Sequence, residues 1–124
     1  PDENRAASLG EFGGKGLFVR NHLWPVPNNA YEILINPEML TDTYVYLLNE
    51  VEQRMIYRGL SAAIYTQTSD VEHEINGLVT YDRQVEKMDL KKVKWINGEI
   101  IRRSEKIGTK KKKISSISRV YPVE

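Results

Sequence analysis

The clearest hydrophobic pattern in the chain runs from Glu38 to Arg58 and predicts an amphipathic helix. Its apolar residues recur every three or four positions, which gives one apolar stripe over about six turns. Asn36 and Pro37 suit the start of such a helix, and Gly59 suits a left-handed cap at its end. The stripe consists of Leu40, Tyr44, Leu47, Leu48, Val51 and Met55.

Two short segments on either side of this helix predict strands. Ala6 to Phe12 is closed by two glycines, and Leu60 to Thr66 is almost entirely small or apolar. A near-continuous apolar run is typical of a strand that is buried on both faces of a parallel sheet. A buried helix is the competing interpretation of Leu60 to Thr66. Gly16 to Asn29, with its two prolines, reads as a long irregular loop.

The second half of the chain begins with a polar, acid-rich loop and predicts a second helix. The loop covers Gln67 to Arg83, and Asp89 is a suitable cap for a helix over Leu90 to Ile107. The dipeptide Asn97-Gly98 interrupts that helix and allows a β-hairpin as the alternative. We favour the helix because the apolar stripe continues in phase across the glycine. Ile114 to Val123 is a candidate edge strand.

This order of elements predicts an α/β fold with two consecutive βα units and parallel strands. Two strands cannot close a sheet or bury its faces, so we expect a fraction of a larger α/β body. We assign residues 1–108 to that body and residues 109–124 to a basic C-terminal tail.

Composition and charge exclude several classes of protein. The 124 residues have room for one domain at most, and cysteine is absent, so there are no disulfides or thiolate metal sites. No window approaches the ~18 apolar residues of a membrane span, so we expect no membrane partner. The run Lys110 to Lys113 has no interleaved aromatic residues. We therefore expect a solvated basic tail and do not expect nucleic-acid binding.

Glu11 is the first candidate for chemistry. It stands at the end of a predicted strand before Phe-Gly-Gly, and an α/β barrel keeps its catalytic groups at strand ends. The alternative is an exposed glutamate before a turn. The acidic loop partly matches a calcium loop that starts at Glu72, but Arg83 stands where a bidentate glutamate is needed. We expect no metal and no cofactor, and no glycine pattern fits a phosphate-binding loop.

Two segments together resemble the end of the catalytic barrel in glycoside hydrolase family 2, which includes β-galactosidases, β-glucuronidases and β-mannosidases. The first is Glu-Phe-Gly-Gly at residues 11–14. The second runs Tyr-Thr-Gln-Thr-Ser-Asp-Val-Glu at residues 65–72 and continues through Glu74, Asn76-Gly77-Leu78 and Thr80-Tyr81-Asp82-Arg83. The resemblance covers roughly residues 8 to 105.

The resemblance implies that the predicted strands are the seventh and eighth of a (β/α)8 TIM barrel, with Glu11 at the position of the nucleophile. Members of the family retain configuration through a covalent glycosyl-enzyme. Tyr65 and Gln67 would then face the sugar pocket. His22 and Trp24 would lie in the loop over its mouth, and all four are substrate-binding candidates.

The family's second carboxylate, a glutamate preceded by asparagine on the fourth strand, is missing. The single Asn-Glu pair of the chain, Asn49-Glu50, lies inside the predicted helix. We therefore expect a fragment that is inactive alone, with the missing N-terminal part of the barrel as a partner, a carbohydrate as the parent's substrate and a homo-oligomer through unpaired strands. The alternative is a non-enzymatic α/β interaction module with a basic tail. The compartment stays open, and a periplasmic or secreted bacterial protein is compatible with the family.

Overall fold

The computed structural model describes residues 4–120, with side chains for residues 4–108, as a small mixed α/β domain of two helices and short parallel strands. The predicted α/β class is confirmed at this level. In chain order the elements are β1 (Ala7–Gly13), β2 (Lys15–Leu17), β3 (Glu32–Leu34), α1 (Pro37–Arg58), β4 (Leu60–Thr66) and α2 (Leu90–Val120).

The strands form two separate parallel pairs. β1 pairs with β4, as the two predicted βα units require, and β2 pairs with β3. The β1–β4 register is irregular: Leu9 pairs with Ala63 but Phe12 pairs with Tyr65, so β1 holds one extra residue there. Such a bulge redirects side chains and is uncommon in parallel pairs. It falls between Leu9 and Phe12, the stretch that contains Glu11.

Helix α1 begins and ends where local sequence predicts. The Asn36 side chain accepts a hydrogen bond from the backbone N–H of Met39 at 2.7 Å, and Pro37 occupies the first turn. Gly59 adopts the left-handed conformation, with φ of 71°, and its N–H donates to the carbonyl of Arg54. The apolar stripe of α1 faces the core through Leu40, Tyr44, Leu48 and Val51.

Helix α2 confirms the predicted second helix, and the hairpin alternative is wrong. The Asp89 carboxylate accepts hydrogen bonds from the backbone N–H groups of Lys91 and Lys92, which caps the first turn. Asn97 lies inside the helix, and its side chain accepts a hydrogen bond from the Tyr44 hydroxyl at 3.1 Å. This contact and the apolar stripe fix α2 against α1, so the Asn-Gly dipeptide does not turn the chain.

The core lies between the two helices and is completed by one residue each from β2, β3 and the end of the loop after β4. Its buried side chains are Leu17, Leu34, Leu40, Tyr44, Leu48, Met88, Val93 and Ile96. The start of α2 is attached to α1 by a hydrogen bond from the Asp89 N–H to the Thr41 hydroxyl. The loop after β4 ends at this core, where Met88 is buried and Asp89 bonds Thr41. The core therefore fixes the end of that loop and the start of α2.

Several predictions need correction. Leu60–Thr66 is the predicted strand, but it is not buried on both faces, since Ser61 and Ala62 are exposed and Ile64 is 56% exposed. The expected loop from Gly16 to Asn29 begins inside β2. The candidate edge strand is wrong for residues 114–120, which continue α2, and residues 121–123 lie outside the described part. Neither helix holds, within the described residues, an apolar stretch long enough to cross a membrane.

Candidate functional site

Glu11 is exposed at the carboxyl end of β1, in the bulged part of the strand. It lines an open cavity of about 290 Å³ together with Phe12, Gly13, Tyr31 and Thr66. Thr66 is the last residue of β4 and pairs with Gly13. The cavity therefore lies where the carboxyl ends of two neighbouring parallel strands meet, and the bulge sets the direction of the carboxylate.

Tyr31 forms one wall of this cavity and is held there by a glycine. Its backbone N–H donates to the carbonyl of Gly14 at 3.0 Å. A β-carbon on Gly14 would stand 2.1 Å from Cδ2 of the Tyr31 ring, and Gly14 has φ of +69°. A side chain at position 14 would thus displace the ring and strain the backbone. The ring itself is free for contact, since Tyr31 is 83% exposed.

Gln67 follows β4 and joins this site to a second cavity. Its side-chain amide donates to Oδ1 of Asn76 at 2.7 Å and to Oε2 of Glu74 at 3.4 Å. Glu74 and Asn76 line an open cavity of about 260 Å³ with Asn29, Ala30 and Tyr31. Tyr31 is common to both cavities, so Gln67 and Tyr31 place Glu11 and Glu74 in adjoining clefts.

Tyr65 packs between the strands and the helices. It is absent from the cavity of Glu11, and its ring packs edge-on against Phe12 and Tyr44, with centroids 5.4 Å and 4.9 Å away. It lines a cavity of about 450 Å³ between the strands and the helices. Burial raises the pKa of its hydroxyl, which has no hydrogen-bond partner among the described residues. Tyr65 therefore packs against the core, and its contact with a sugar stays a prediction.

His22 contacts Asp82 rather than Glu11. Its Nδ1 lies 2.7 Å from Oδ2 of Asp82, and Oδ1 of Asp82 accepts a hydrogen bond from the Thr80 hydroxyl at 2.6 Å. The Thr80 hydrogen bond, with a further contribution from His22, lowers the pKa of Asp82 to about 2. Asp82 therefore orients the imidazole and leaves Nε2 as its second hydrogen-bonding atom.

Trp24 lies beside the His22–Asp82 pair in sequence and packs edge-to-face against Tyr81, with ring centroids 5.3 Å apart. Trp24 is 40% exposed. The expected mouth residues His22 and Trp24 thus both meet the Thr80–Asp82 segment, which the sequence places 60 residues later. They line neither the cavity of Glu11 nor that of Glu74. Glu11 thus lines one cleft, and Gln67 bonds two residues that line the adjoining one. His22 and Trp24 lie in a separate cluster.

The loop after β4 is built on a buried ion pair that sequence reasoning missed. Nζ of Lys87 lies 2.6 Å from Oδ1 of Asp70, and their side chains are 0% and 3% exposed. Burial raises the pKa of Asp70 and lowers the pKa of Lys87, and their mutual hydrogen bond opposes both shifts. The same carboxylate accepts the N–H of Gly77, and Lys87 also donates to the carbonyl of Ile75. The loop that carries Glu74 and Asn76 is therefore fixed from inside.

No group of three or more histidine, cysteine, aspartate or glutamate side chains in the described residues is arranged to hold a metal ion. Glu74 and Asn76 belong to the partial calcium-loop match. Their side-chain oxygens both accept hydrogen bonds from the Gln67 amide, so these two side chains hold the loop to Gln67. The functional groups that line the two clefts include carboxylates, amides and aromatic rings.

No protein-family profile matches the chain, and no curated protein is significantly similar to it. A functional interpretation of the chain therefore depends on its motifs and on the two adjoining clefts that contain Glu11 and Glu74.

Proposed function

We propose that this chain is the C-terminal part of the catalytic barrel of a retaining β-glycosidase of glycoside hydrolase family 2, with Glu11 as the nucleophile. The observation that carries the proposal is the position of Glu11. It lies in a bulge at the carboxyl end of a parallel strand, exposed in an open cavity that the neighbouring strand end helps to form. Catalytic groups of TIM barrels occupy this edge of the sheet.

The arrangement of elements supports the barrel interpretation. β1, α1 and β4 form a parallel unit with a helical crossover, and α2 follows β4. The segments between β1 and α1 and between β4 and α2 both start at the carboxyl ends of the strands. They supply Tyr31, Glu74 and Asn76 to the clefts. Loops at this edge build the active site in a TIM barrel, so the proposal explains why both carry polar and aromatic side chains.

A retaining mechanism needs a second carboxyl group about 5 Å from the nucleophile, first as acid and then as base. The Asn-Glu pair of the chain does not supply it, because Asn49 and Glu50 lie inside α1 and Glu50 pairs with Arg54 at 2.7 Å. Glu11 would form and break the bond to the anomeric carbon, and the proton would be moved by a carboxyl group outside this chain. We therefore propose that the chain is inactive alone.

The test uses the full-length enzyme that contains this segment. Replacement of Glu11 by Gln should lower turnover of 4-nitrophenyl β-glycosides by at least about 10⁴-fold, because no covalent intermediate can form. Glu86→Gln is the matched control, since Glu86 is an exposed glutamate of the loop after β4, and it should keep turnover near that of the unchanged enzyme.

A second variant identifies the role of the carboxylate. In Glu11→Gly, azide should restore turnover by entering the space of the missing carboxylate, and the product should be the α-glycosyl azide because the attack comes from the nucleophile's side. A β-glycosyl azide would assign Glu11 as the acid/base. Turnover within tenfold of the unchanged enzyme in Glu11→Gln would refute a catalytic role and favour the non-enzymatic interaction module with a basic tail.

A further inference from the structure

Charge is distributed very unevenly between α2 and the rest of the chain. Of the 18 lysines and arginines, 11 lie in α2, together with two of the 17 acidic residues. The helix therefore has a formal charge of +9 and the remainder of the chain −8, which gives the net charge of +1. The residues of α2 that pack in the core lie between Leu90 and Ile100. Most of the cations thus follow the part of the helix that serves the core.

The face of α2 that points away from the core carries a row of apolar positions. Trp95, Gly98 and Ile101 follow each other at three-residue spacing, which makes them neighbours on the helix surface. Trp95 is 60% exposed and Ile101 is 59% exposed. Nothing lies within 4 Å of a β-carbon added to Gly98, so the two large side chains flank an open notch.

Cations surround this apolar row. Lys91 precedes Trp95 by four residues, so the two side chains are neighbours on the helix. Lys94 and Arg102 lie four residues before and after Gly98 and flank the notch in the same way. All three cations are exposed. The outer face of α2 therefore combines exposed apolar side chains with a positively charged rim.

The two glutamates of α2, Glu99 and Glu105, do not cancel this charge. Glu99 is already matched by Arg102 and Arg103 on its own helix. The two lysines of the rim take no part in the ion pairs that α2 forms among the described residues. Their charges are therefore available to an outside partner.

This combination of groups matches the surface of a membrane that contains anionic phospholipids. An indole ring is amphipathic and settles at the level of the lipid headgroups. Lysine and arginine stems pack along apolar surface while their charged ends reach phosphate. The helix carries too many charges to enter the hydrocarbon, so it would lie in the plane of the interface. The same helix continues through residues 110–113, all lysine, which adds to its attraction to anionic lipid.

A nucleic acid fits the same surface less well. Proteins hold single strands with several aromatic side chains on which successive bases stack, but Trp95 is the one aromatic residue in the sequence of α2. Ile101 would stay exposed beside phosphates, without apolar atoms to contact. The interface of a bilayer offers apolar atoms to Ile101 and phosphates to the rim at the same time.

We propose that the outer face of α2 docks the chain on membranes that contain anionic phospholipid. Trp95 and Ile101 would enter the headgroup region, and Lys91, Lys94 and Arg102 would bind the phosphates around them. This docking does not depend on the proposed hydrolysis, and in the proposed barrel the same face stays accessible because barrel helices form an outer ring. The lack of a spanning-length apolar window bears on insertion across a bilayer and not on contact with its surface. The proposal therefore revises the expectation of no membrane partner.

Cosedimentation of the full chain with lipid vesicles tests the docking. We expect binding to phosphatidylcholine vesicles with about 30% phosphatidylserine, and at least about 100-fold weaker binding to pure phosphatidylcholine. Each cation at the surface contributes about fivefold in affinity, so Lys91→Gln/Lys94→Gln should weaken binding about 25-fold. Arg20→Gln/Arg58→Gln is the matched control, because it removes two exposed cations outside α2. It should bind within about twofold of the unchanged chain, since charges far from the membrane are screened by salt.

Tryptophan fluorescence gives a second readout that attraction by charge alone would not change. In the variant Trp24→Phe, Trp95 is the remaining tryptophan, and its emission should shift to the blue and be quenched by brominated lipid. Trp95→Ala should weaken binding about tenfold, and Tyr57→Ala, which removes an exposed aromatic ring of α1, should change it by less than about twofold. Circular dichroism should show unchanged helix content in every variant, because the replaced side chains are exposed or, at Trp24, replaced by another aromatic ring.

The possible results separate docking by this face from other origins of binding. Equal binding to the two kinds of vesicle, or equal losses in the α2 double variant and its matched control, would refute the proposal. Binding to phosphatidylserine without quenching of Trp95 would refute it as well, because the face would then not enter the headgroup region. Tighter binding of a single-stranded RNA homopolymer than of the vesicles, at equal phosphate concentration, would assign the face to nucleic acid instead. Quenching of Trp95, together with a loss of affinity confined to the α2 variants, supports docking.

Discussion

Asp70 and Lys87 form an ion pair of 2.6 Å that is almost completely removed from solvent. Removal of one partner would leave the other as an uncompensated buried charge, which costs about 3–5 kcal/mol. We expect Asp70→Asn and Lys87→Met each to lower the free energy of unfolding by that order. Urea unfolding of the protein, followed by tryptophan fluorescence, measures the loss.

The double variant Asp70→Leu/Lys87→Met is the control for this prediction. It removes both charges, so it should be much less destabilised than the sum of the single variants. Lys92→Met is a second control, because the Lys92–Asp42 pair is exposed and 3.4 Å long and should contribute less than about 1 kcal/mol. Losses below 1 kcal/mol in both single variants at the buried pair would contradict the prediction.

Gly77 is a position where any side chain collides with the backbone. A β-carbon there would lie 2.2 Å from the backbone N of Asp70 and from the carbonyl carbon of Ser69. We expect Gly77→Ala to destabilise the protein by about 1–3 kcal/mol or more, since backbone must move to relieve the overlap. The same denaturation measurement tests this.

Gly98 provides the opposite case. It lies inside α2, and nothing lies within 4 Å of a β-carbon added to it. Gly98→Ala should therefore stabilise the protein by about 0.5–1 kcal/mol through helix propensity. Equal effects of the two alanine substitutions would show that the loop around Gly77 is not packed as described.

The Asp82 carboxylate predicts a pH dependence at the acid end. The hydrogen bond from Thr80 is the largest cause of the lowered pKa of Asp82, about 2 in the folded protein, against about 4 when unfolded. Because the folded pKa is the lower one, the stabilisation is present above about pH 4 and is lost as the pH falls towards 2. Asp82→Asn should reduce the steepness of the stability profile in this window.

The control for the acid window is Asp42→Asn, because Asp42 is exposed and its contact with Lys92 is long. That variant should keep the dependence of the unchanged protein between pH 4 and pH 2. A profile of identical steepness in Asp82→Asn and in the unchanged protein would mean that Asp82 is not held by Thr80 and His22.

Tyr65→Phe separates packing from substrate contact. The Tyr65 hydroxyl is buried without a hydrogen-bond partner in the part of the chain that is described. Its removal should be neutral or should stabilise the protein by about 1 kcal/mol. In the full-length glycosidase proposed above, kcat/KM should stay within twofold of the unchanged value. A large loss of kcat/KM with unchanged stability would support the predicted role of Tyr65 in substrate binding.

Local signals were sufficient for α1 and for the two long strands. Asn36 and Gly59 mark the ends of α1 through hydrogen bonds to residues within one or two turns, so the sequence contains all the information needed. β2 and β3 were missed because each has only three residues. Strands of that length show no periodicity, and they exist only because they pair with each other.

The sequence indicates some residues of the candidate site but not how they are arranged in space. Glu11 could be singled out from its strand-end position, but the bulge that redirects it depends on register with β4 and is invisible in local sequence. Asp70 lies in the predicted acid-rich loop, but its partner Lys87 is 17 residues away, so local sequence does not indicate the buried pair.

β1 and β4 pair only with each other within the described residues, so one edge of each strand presents unpaired backbone groups. Backbone edges recognise almost any strand and therefore give little selectivity between a correct neighbour and an unrelated chain. Selectivity can come instead from covalent connection. A neighbouring strand in the same polypeptide is present at an effective concentration in the millimolar range. If the chain is the barrel segment proposed above, its separate production removes that advantage, and the yield of folded protein should fall steeply as its concentration rises.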